Sequence, residues 1–484
     1  MRWARTLLLI AVCALAQTVF FALADESAVS YEFSMQMLED EQSFLIRQRV
    51  TLENRADETL LGALFSVPAN VFRRESALPY DNETLEKAFP SGYAPGGIEF
   101  TGVWANGEPA DWGMKGENET FLRVACQIPP GETGEFVFDY ALLLTDNRAF
   151  LGCGDADWRL TDFYPSLCVF EYGDYAANEP TRAGEWRYAE CADFSARIVL
   201  PEDYEIASGG ECLETLENGA RIVDLTVTRA RSLSFAVSRR FHIYSGISSA
   251  GTEVRVCGQN RARLKNALNA VLSALNLYED WFGAYPYRRL SVVESQIAKT
   301  ESGTGVIFLN RDEWKDESEL RFRLLELAAR QYFQEVVHAD PAREAWLFEG
   351  LSRYAALWAV CELDGEAAFS RALNERLLPS LQVTIPGGLY VNAATGYFPT
   401  QRDYEIVTRE RGAAVLNELA FAMGRENMKN ALSEYVRENR FSIASIGDFA
   451  AAMNRATGRE WDQALAAWIY TIDDYSQEIL ESYD

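Results

Sequence analysis

Glu326-Leu-Ala-Ala-Arg-Gln-Tyr-Phe333 lies near the end of a run, 318–337, in which apolar residues recur three and four apart. That is the period of an α-helix with one buried face. Arg323, Glu326, Arg330 and Gln334 keep the same spacing and so share another face of that helix. Nineteen residues after Arg330 stands Glu349, inside Trp346-Leu-Phe-Glu-Gly-Leu-Ser-Arg-Tyr354 on a second helical run, 342–363. A polar stripe alone marks a solvated helix face, so what these positions do depends on the segments around them.

Outward from this pair, helical periodicity covers 261–282, 404–423, 426–439 and 446–455, while 289–294 and 305–310 read as strands. The stretch 379–402, with Gly387 and Gly388, is poorly periodic and reads as an irregular loop at a cleft. Before residue 245 the pattern alternates at period two between turn residues, as in Gly134-Glu-Phe-Val-Phe-Asp-Tyr140 and Arg221-Ile-Val-Asp-Leu-Thr-Val227, which is the pattern of short strands. The chain therefore divides into a β-rich region at 25–248, an α+β region at 249–378 and a helical part at 379–484. No internal repeat stands out.

Taken together and in order, several segments resemble the zinc aminopeptidases of the alanyl aminopeptidase family. Trp281-Phe-Gly-Ala-Tyr-Pro-Tyr-Arg-Arg-Leu290 resembles the family's entry to its catalytic domain, and Glu301-Ser-Gly-Thr-Gly-Val-Ile-Phe-Leu309 the strand lining its substrate cleft. Glu326-Leu-Ala-Ala-Arg-Gln-Tyr-Phe333 falls where the family has His-Glu-x-x-His-Gln-Trp-Phe, and Trp346-Leu-Phe-Glu-Gly350 where it has Trp-Leu-Asn-Glu-Gly. Arg409-Glu-Arg-Gly-Ala413 falls on Tyr-x-Lys-Gly-Ala, and Arg159-Leu-Thr-Asp-Phe-Tyr-Pro165 on a segment of the N-terminal domain. The resemblance implies a multidomain fold: a saddle-like all-β N-terminal domain, a thermolysin-like (gluzincin) α+β domain, and an α-helical C-terminal part.

The same resemblance implies a degenerate zinc site. Such a site takes two imidazoles four residues apart, a carboxylate from the next helix and a water. Here the positions hold Glu326, Arg330 and Glu349. A guanidinium offers donors and no lone pair to a metal. The general base falls at Leu327, which cannot carry a proton, and the oxyanion-stabilising tyrosine at Arg409. The chain has only two histidines, His242 and His338, so an intact His-Glu-x-x-His motif is absent whatever the alignment. No catalytic residue and no metal cofactor are expected. Arg330 is expected to supply the missing positive charge, bridging Glu326 and Glu349. His242 reads as an ordinary strand histidine and His338 as a partner of the helix C-terminus.

The implied cleft residues are Glu301, Ser302, Gly303, Gly305 and Tyr354; in active relatives a glutamate beside this strand anchors the substrate's amino terminus, and Glu301 or Ser302 fits that register. Three readings follow. The first is a non-catalytic pseudopeptidase that binds peptides or a protein partner; the second is a scaffold or interaction module with a filled cleft. An active hydrolase with another mechanism is a third, though no G-x-S-x-G nucleophile elbow is present.

Charge excludes other classes. The 484 residues carry 45 Lys and Arg against 72 Asp and Glu, a formal charge of −27. Nucleic acids and anionic membrane surfaces repel such a protein. Residues 1–24, with Arg2 and Arg5, an apolar run at 7–16 and Ala22-Leu-Ala24, read as a secretory signal peptide, or as an anchor if uncleaved. The expected location is thus secreted or extracytoplasmic. Six of the seven later cysteines precede residue 260, where disulfides would staple loops in an oxidising compartment, leaving Cys361 free.

Overall fold

The computed structural model describes residues 27–385 and 387–470; the segment read as a signal peptide lies outside them. An eight-stranded sheet forms first, with Val29–Leu38 at its middle, parallel to Ala192–Pro201 and antiparallel to Ser43–Glu53. Every second side chain of Val29–Leu38 and Ala192–Pro201 is buried, as the period-two sequence pattern requires of a sheet with one covered face. Tyr31 stacks on Phe194 across the parallel pair with ring centroids 4.8 Å apart. Two four-stranded sheets and a two-stranded one, Phe170–Glu171 with Asp174–Tyr175, complete this β region.

A second sheet of five strands runs His242–Ile247, Glu253–Gly258, Arg289–Ser295, Val306–Asn310, Glu301–Gly303. The three inner strands are parallel, and the helix Arg261–Phe282 connects the first two of them. The strand His242–Ile247 pairs with Glu253–Gly258 and so belongs to this sheet. Antiparallel pairing places the short strand Glu301–Gly303 at the edge, alongside Val306–Asn310.

The helix Glu317–Arg330 is started by Asp316, whose carboxylate accepts from the Ser318 and Glu319 amides at 2.9 Å. Beyond Arg330 the helix widens into a π turn, Gln331–Val336, closed by the Val337 amide donating to the Tyr332 carbonyl five residues back at 2.8 Å. The next helix, Trp346–Asp364, starts four residues later than its periodicity suggests, and a further helix, Glu366–Arg376, was not read from sequence. A second π turn, Glu405–Arg411, precedes Gly412–Met423. Gly350 and Gly412 let these two elements touch: a Cβ on Gly350 would lie 3.2 Å from the Gly412 backbone. That close crossing carries Tyr404 and Arg409 to Glu349 and Glu326.

Among the described residues all seven cysteines are free, which corrects the expected disulfides. Each thiol has its own surroundings instead. Cys153 and Cys257 are core residues, Cys126 meets the Asn106 amide at 3.3 Å, and Cys212 meets the Ser208 hydroxyl at 3.2 Å. Burial pushes the Cys168 and Cys257 thiols up to about 12. Among the described residues no helix is long and apolar enough to cross a membrane.

Candidate functional site

Arg330 and Glu349, on adjacent helices, meet at 2.9 Å through Nη1 and Oε1. The other guanidinium nitrogen, Nη2, reaches Glu185 of the β region at 3.1 Å, and Nε donates to Gln334 one turn on. Tyr404 donates to the same Glu349 oxygen at 3.2 Å. All are buried. Burial works against the Arg330 charge, but Glu349 and Glu185 more than offset it and raise its pKa further.

Glu326 does not join this bridge, contrary to the sequence expectation. Its oxygens accept from Arg323 at 2.8 Å and Arg353 at 2.7 Å, and Arg409 lies 3.8 Å away. Burial pushes its carboxyl up, but these three cations override that and hold it well below the usual carboxylate range. Arg409 also pairs with Glu405 at 2.9 Å. Leu327 is fully buried among apolar side chains.

These residues do not fit a zinc ion. The carboxylate at the first position is enclosed by three arginines, the second position presents only donors, and the carboxylate at the third is already held by Arg330 and Tyr404. Among the described residues no group of three or more His, Cys, Asp or Glu side chains is placed to hold a metal ion. His338 sits at the end of the helix that bears Arg330, where its Nδ1 faces a last-turn carbonyl. It is buried between the Gln334 and Arg187 carbonyls, at 2.9 and 3.1 Å, and burial, helped by Arg231 and Arg187, lowers its pKa to about 3. His242 stands at the start of an edge strand, 3.4 Å from Arg261.

The five implied cleft residues are all buried. Gln331 pins the edge strand beside the helix: its amide donates to the Ser302 hydroxyl at 2.7 Å and the Gly303 carbonyl at 3.2 Å, and its oxygen accepts from the Gly305 amide at 2.9 Å. Gly305 needs its left-handed φ of 70° and its missing Cβ, which would collide with Gly209. Tyr354 packs edge-on against Trp358. Lys299 Nζ lies 3.7 Å from Glu301 and 3.8 Å from Glu185, and donates to the Gly184 carbonyl at 2.9 Å. Burial and the neighbouring Glu185 push the Glu301 carboxyl up to about 8.

Sequence reasoning missed Glu185, Lys299, Arg353 and Tyr404. Arg353 carried a usable signal, lying four residues after Glu349 on the same helix face. Glu185 lies in a segment without regular structure, 176–191, and carried none.

Comparison with known proteins fits this architecture. No family model matches the chain. Among solved structures it is similar to the M1 zinc metallopeptidase of Deinococcus radiodurans, with a TM-score of 0.64 and 16% identity over 91% of this chain and 93% of that one. A mutant of that metallopeptidase bound to a Tyr-Ser-Ala substrate gives a TM-score of 0.65 at 16% identity, with 91% and 94% covered. In sequence it is 24% identical over 289 residues to Endoplasmic reticulum aminopeptidase 2 of Homo sapiens, covering 55% of this chain and 30% of the relative. It is 21% identical over 417 residues to Aminopeptidase M1-A of Oryza sativa subsp. japonica, covering 78% and 45%. The chain has the fold of the M1 zinc metallopeptidases and is similar in sequence to M1 aminopeptidases. It spans less than half the length of these two curated relatives. Within an M1 fold, then, two ion-pair clusters occupy the motif positions: Arg330 with Glu349 and Glu185, and Glu326 with Arg323, Arg353 and Arg409.

Proposed function

We propose that this M1 relative is a secreted, non-catalytic pseudopeptidase that acts by binding peptides or a protein partner. The observation that carries the reading is the Arg330 guanidinium, held between Glu349 and Glu185. A permanent cation supported by two carboxylates takes up the charge a dication would neutralise, and it repels any metal approaching Glu349. Leu327 supplies no base, and the network needs neither metal nor cofactor. The net charge argues against nucleic acid and anionic lipid as partners.

A second reading, a scaffold whose cleft is filled, is favoured by Lys299. Its ammonium sits between Glu185 and Glu301, where a peptide's own amino group would have to compete with it. Two measurements on the mature protein test these readings. Elemental analysis of protein purified without a polyhistidine tag is expected to find no stoichiometric zinc, and a peptide panel no released amino acid; near-equimolar zinc removable by a chelator overturns the non-catalytic assignment. Isothermal titration with peptides bearing free or acetylated amino ends separates the two readings, since preference for the free amine requires Lys299 to be displaced.

A further inference from the structure

An opening lies away from the ion-pair network. It is a cavity of about 650 Å³ where the ends of Val29–Leu38 and Ala192–Pro201 meet the turn after Arg425–Glu438. Its size is that of a small-molecule site, for which roughly 300–1,000 Å³ is usual. Tyr31, Leu60, Tyr175 and Phe441 give it an apolar, largely aromatic wall.

Charge on that wall is asymmetric. Of its two carboxylates, Glu53 is paired with Arg55 at 2.8 Å and Glu190 faces Arg231 at 3.9 Å. Arg229 and Arg440 have no such partner: neither guanidinium meets a carboxylate among the described residues. Both lie against the Phe441 ring, with guanidinium carbons 4.3 and 5.1 Å from its centroid. Two cations gathered on one ring, in a protein with 27 excess acids, repel each other and depress the Arg440 pKa alongside burial. Arg440 is held by donating to the Ala284 carbonyl at 3.0 Å, and Phe441 by its backbone amide donating to the Val336 carbonyl at 2.7 Å. The cations are thus positioned by the fold and, among the described residues, left without an anion.

We propose that this cavity binds a small organic carboxylate with an aromatic or aliphatic body, its carboxylate received by Arg229 and Arg440 and its body by the aromatic wall. A guanidinium pair matches a carboxylate's two oxygens, and the apolar wall favours a body over a free inorganic anion. The site stands apart from Arg330 and does not depend on whether the protein is a peptidase.

Phenylbutyrate and its uncharged analogue phenylbutanol, titrated calorimetrically into the full chain, test it. Phenylbutyrate is expected to bind one to one, phenylbutanol at least tenfold more weakly. Arg229→Gln should weaken phenylbutyrate tenfold or more, while Arg229→Lys keeps most of the affinity. Arg229 is exposed and, apart from its contact with the Phe441 ring, its guanidinium makes no hydrogen bond or ion pair among the described residues, so its replacement should leave the fold intact; Arg440→Gln is the second variant, and both are read with a thermal melt. No binding of phenylbutyrate, equal binding of the alcohol, or unchanged affinity in Arg229→Gln overturns the proposal. So does light scattering that shows a dimer dissociated by Arg229→Gln and not by phenylbutyrate, which assigns the cavity to a second copy of the chain.

Discussion

The Arg330 guanidinium lies 2.9 Å from the Glu349 carboxylate, and both side chains are at least nine-tenths removed from water. Such a pair adds little to stability over a well-packed apolar pair, because desolvating two charges offsets most of their attraction. Removing one partner is different, since the other is left charged in a medium that does not solvate it. Here the two partners are not equivalent. Glu349 has Tyr404 besides Arg330, whereas Arg330 serves both Glu349 and Glu185.

Arg330→Met strands two carboxylates and should lower stability by roughly 3–5 kcal/mol in urea denaturation, the range for a broken buried pair. Glu349→Gln leaves Arg330 with Glu185 and an amide oxygen for Tyr404. Its loss should be smaller, about 1.5–3 kcal/mol, the size of a hydrogen bond to a charged group. Equal losses would show that Glu185 is not a working partner.

Glu301 makes stability depend on pH. Its folded pKa is pushed up to about 8 by burial and Glu185, while in the unfolded chain it sits in the ordinary carboxylate range. Between those values the folded state holds a proton that the unfolded state does not, so stability falls as pH rises, by up to about 1.4 kcal/mol per pH unit. This contribution is complete below the ordinary carboxylate range and lost once pH passes about 8. Urea midpoints across that window should decline in the parent and flatten in Glu301→Gln. The same slope in both chains removes Glu301 as its source.

Reinstating the zinc-binding residue types should not restore metal binding. Glu326→His, Leu327→Glu and Arg330→His together recreate the ligand pattern, but Arg323, Arg353 and Arg409 remain around the first position, deprived of the carboxylate they now share. Three cations beside a dication oppose its binding more than two imidazoles favour it. Elemental analysis after dialysis is expected to find well under one zinc per chain. Adding Arg353→Leu and Arg409→Tyr should raise occupancy. Near-equimolar zinc in the triple variant contradicts the argument.

Sequence legibility tracked local order. The strand alternation of Ala192–Pro201 and the helix Arg261–Phe282 follow from period alone, and the latter matches residue for residue. The Arg330 to Glu349 contact was readable because helix spacing fixes both ends. Glu326 was misassigned because a four-residue spacing says which residues are neighbours, not which cation wins: Arg353 and Arg409 arrive from other elements. Lys299 and Glu185 come from segments without periodicity, brought together only by packing. Disulfides were expected from cysteine count and compartment, and count carries no geometry.

The crossing at Gly350 and Gly412 gives the last prediction. Both sit in helical backbone without a positive φ, so propensity alone favours alanine there by about 1 kcal/mol. Space argues the other way, for a Cβ on Gly350 would lie 3.2 Å from both the Gly412 backbone and the Thr408 carbonyl, with no flexible side chain to yield. Separating the elements would also pull Tyr404 from Glu349 and Arg409 from Glu326. Overpacking usually costs about 1–3 kcal/mol, so Gly350→Ala should be net destabilising despite its propensity gain. Gly447 in the helix Ile446–Thr457 is the control, since its Cβ would meet only the Ser445 hydroxyl at 3.5 Å. Gly447→Ala should be neutral or stabilising by thermal melt, and matching effects at both positions would mean that the crossing is not tight.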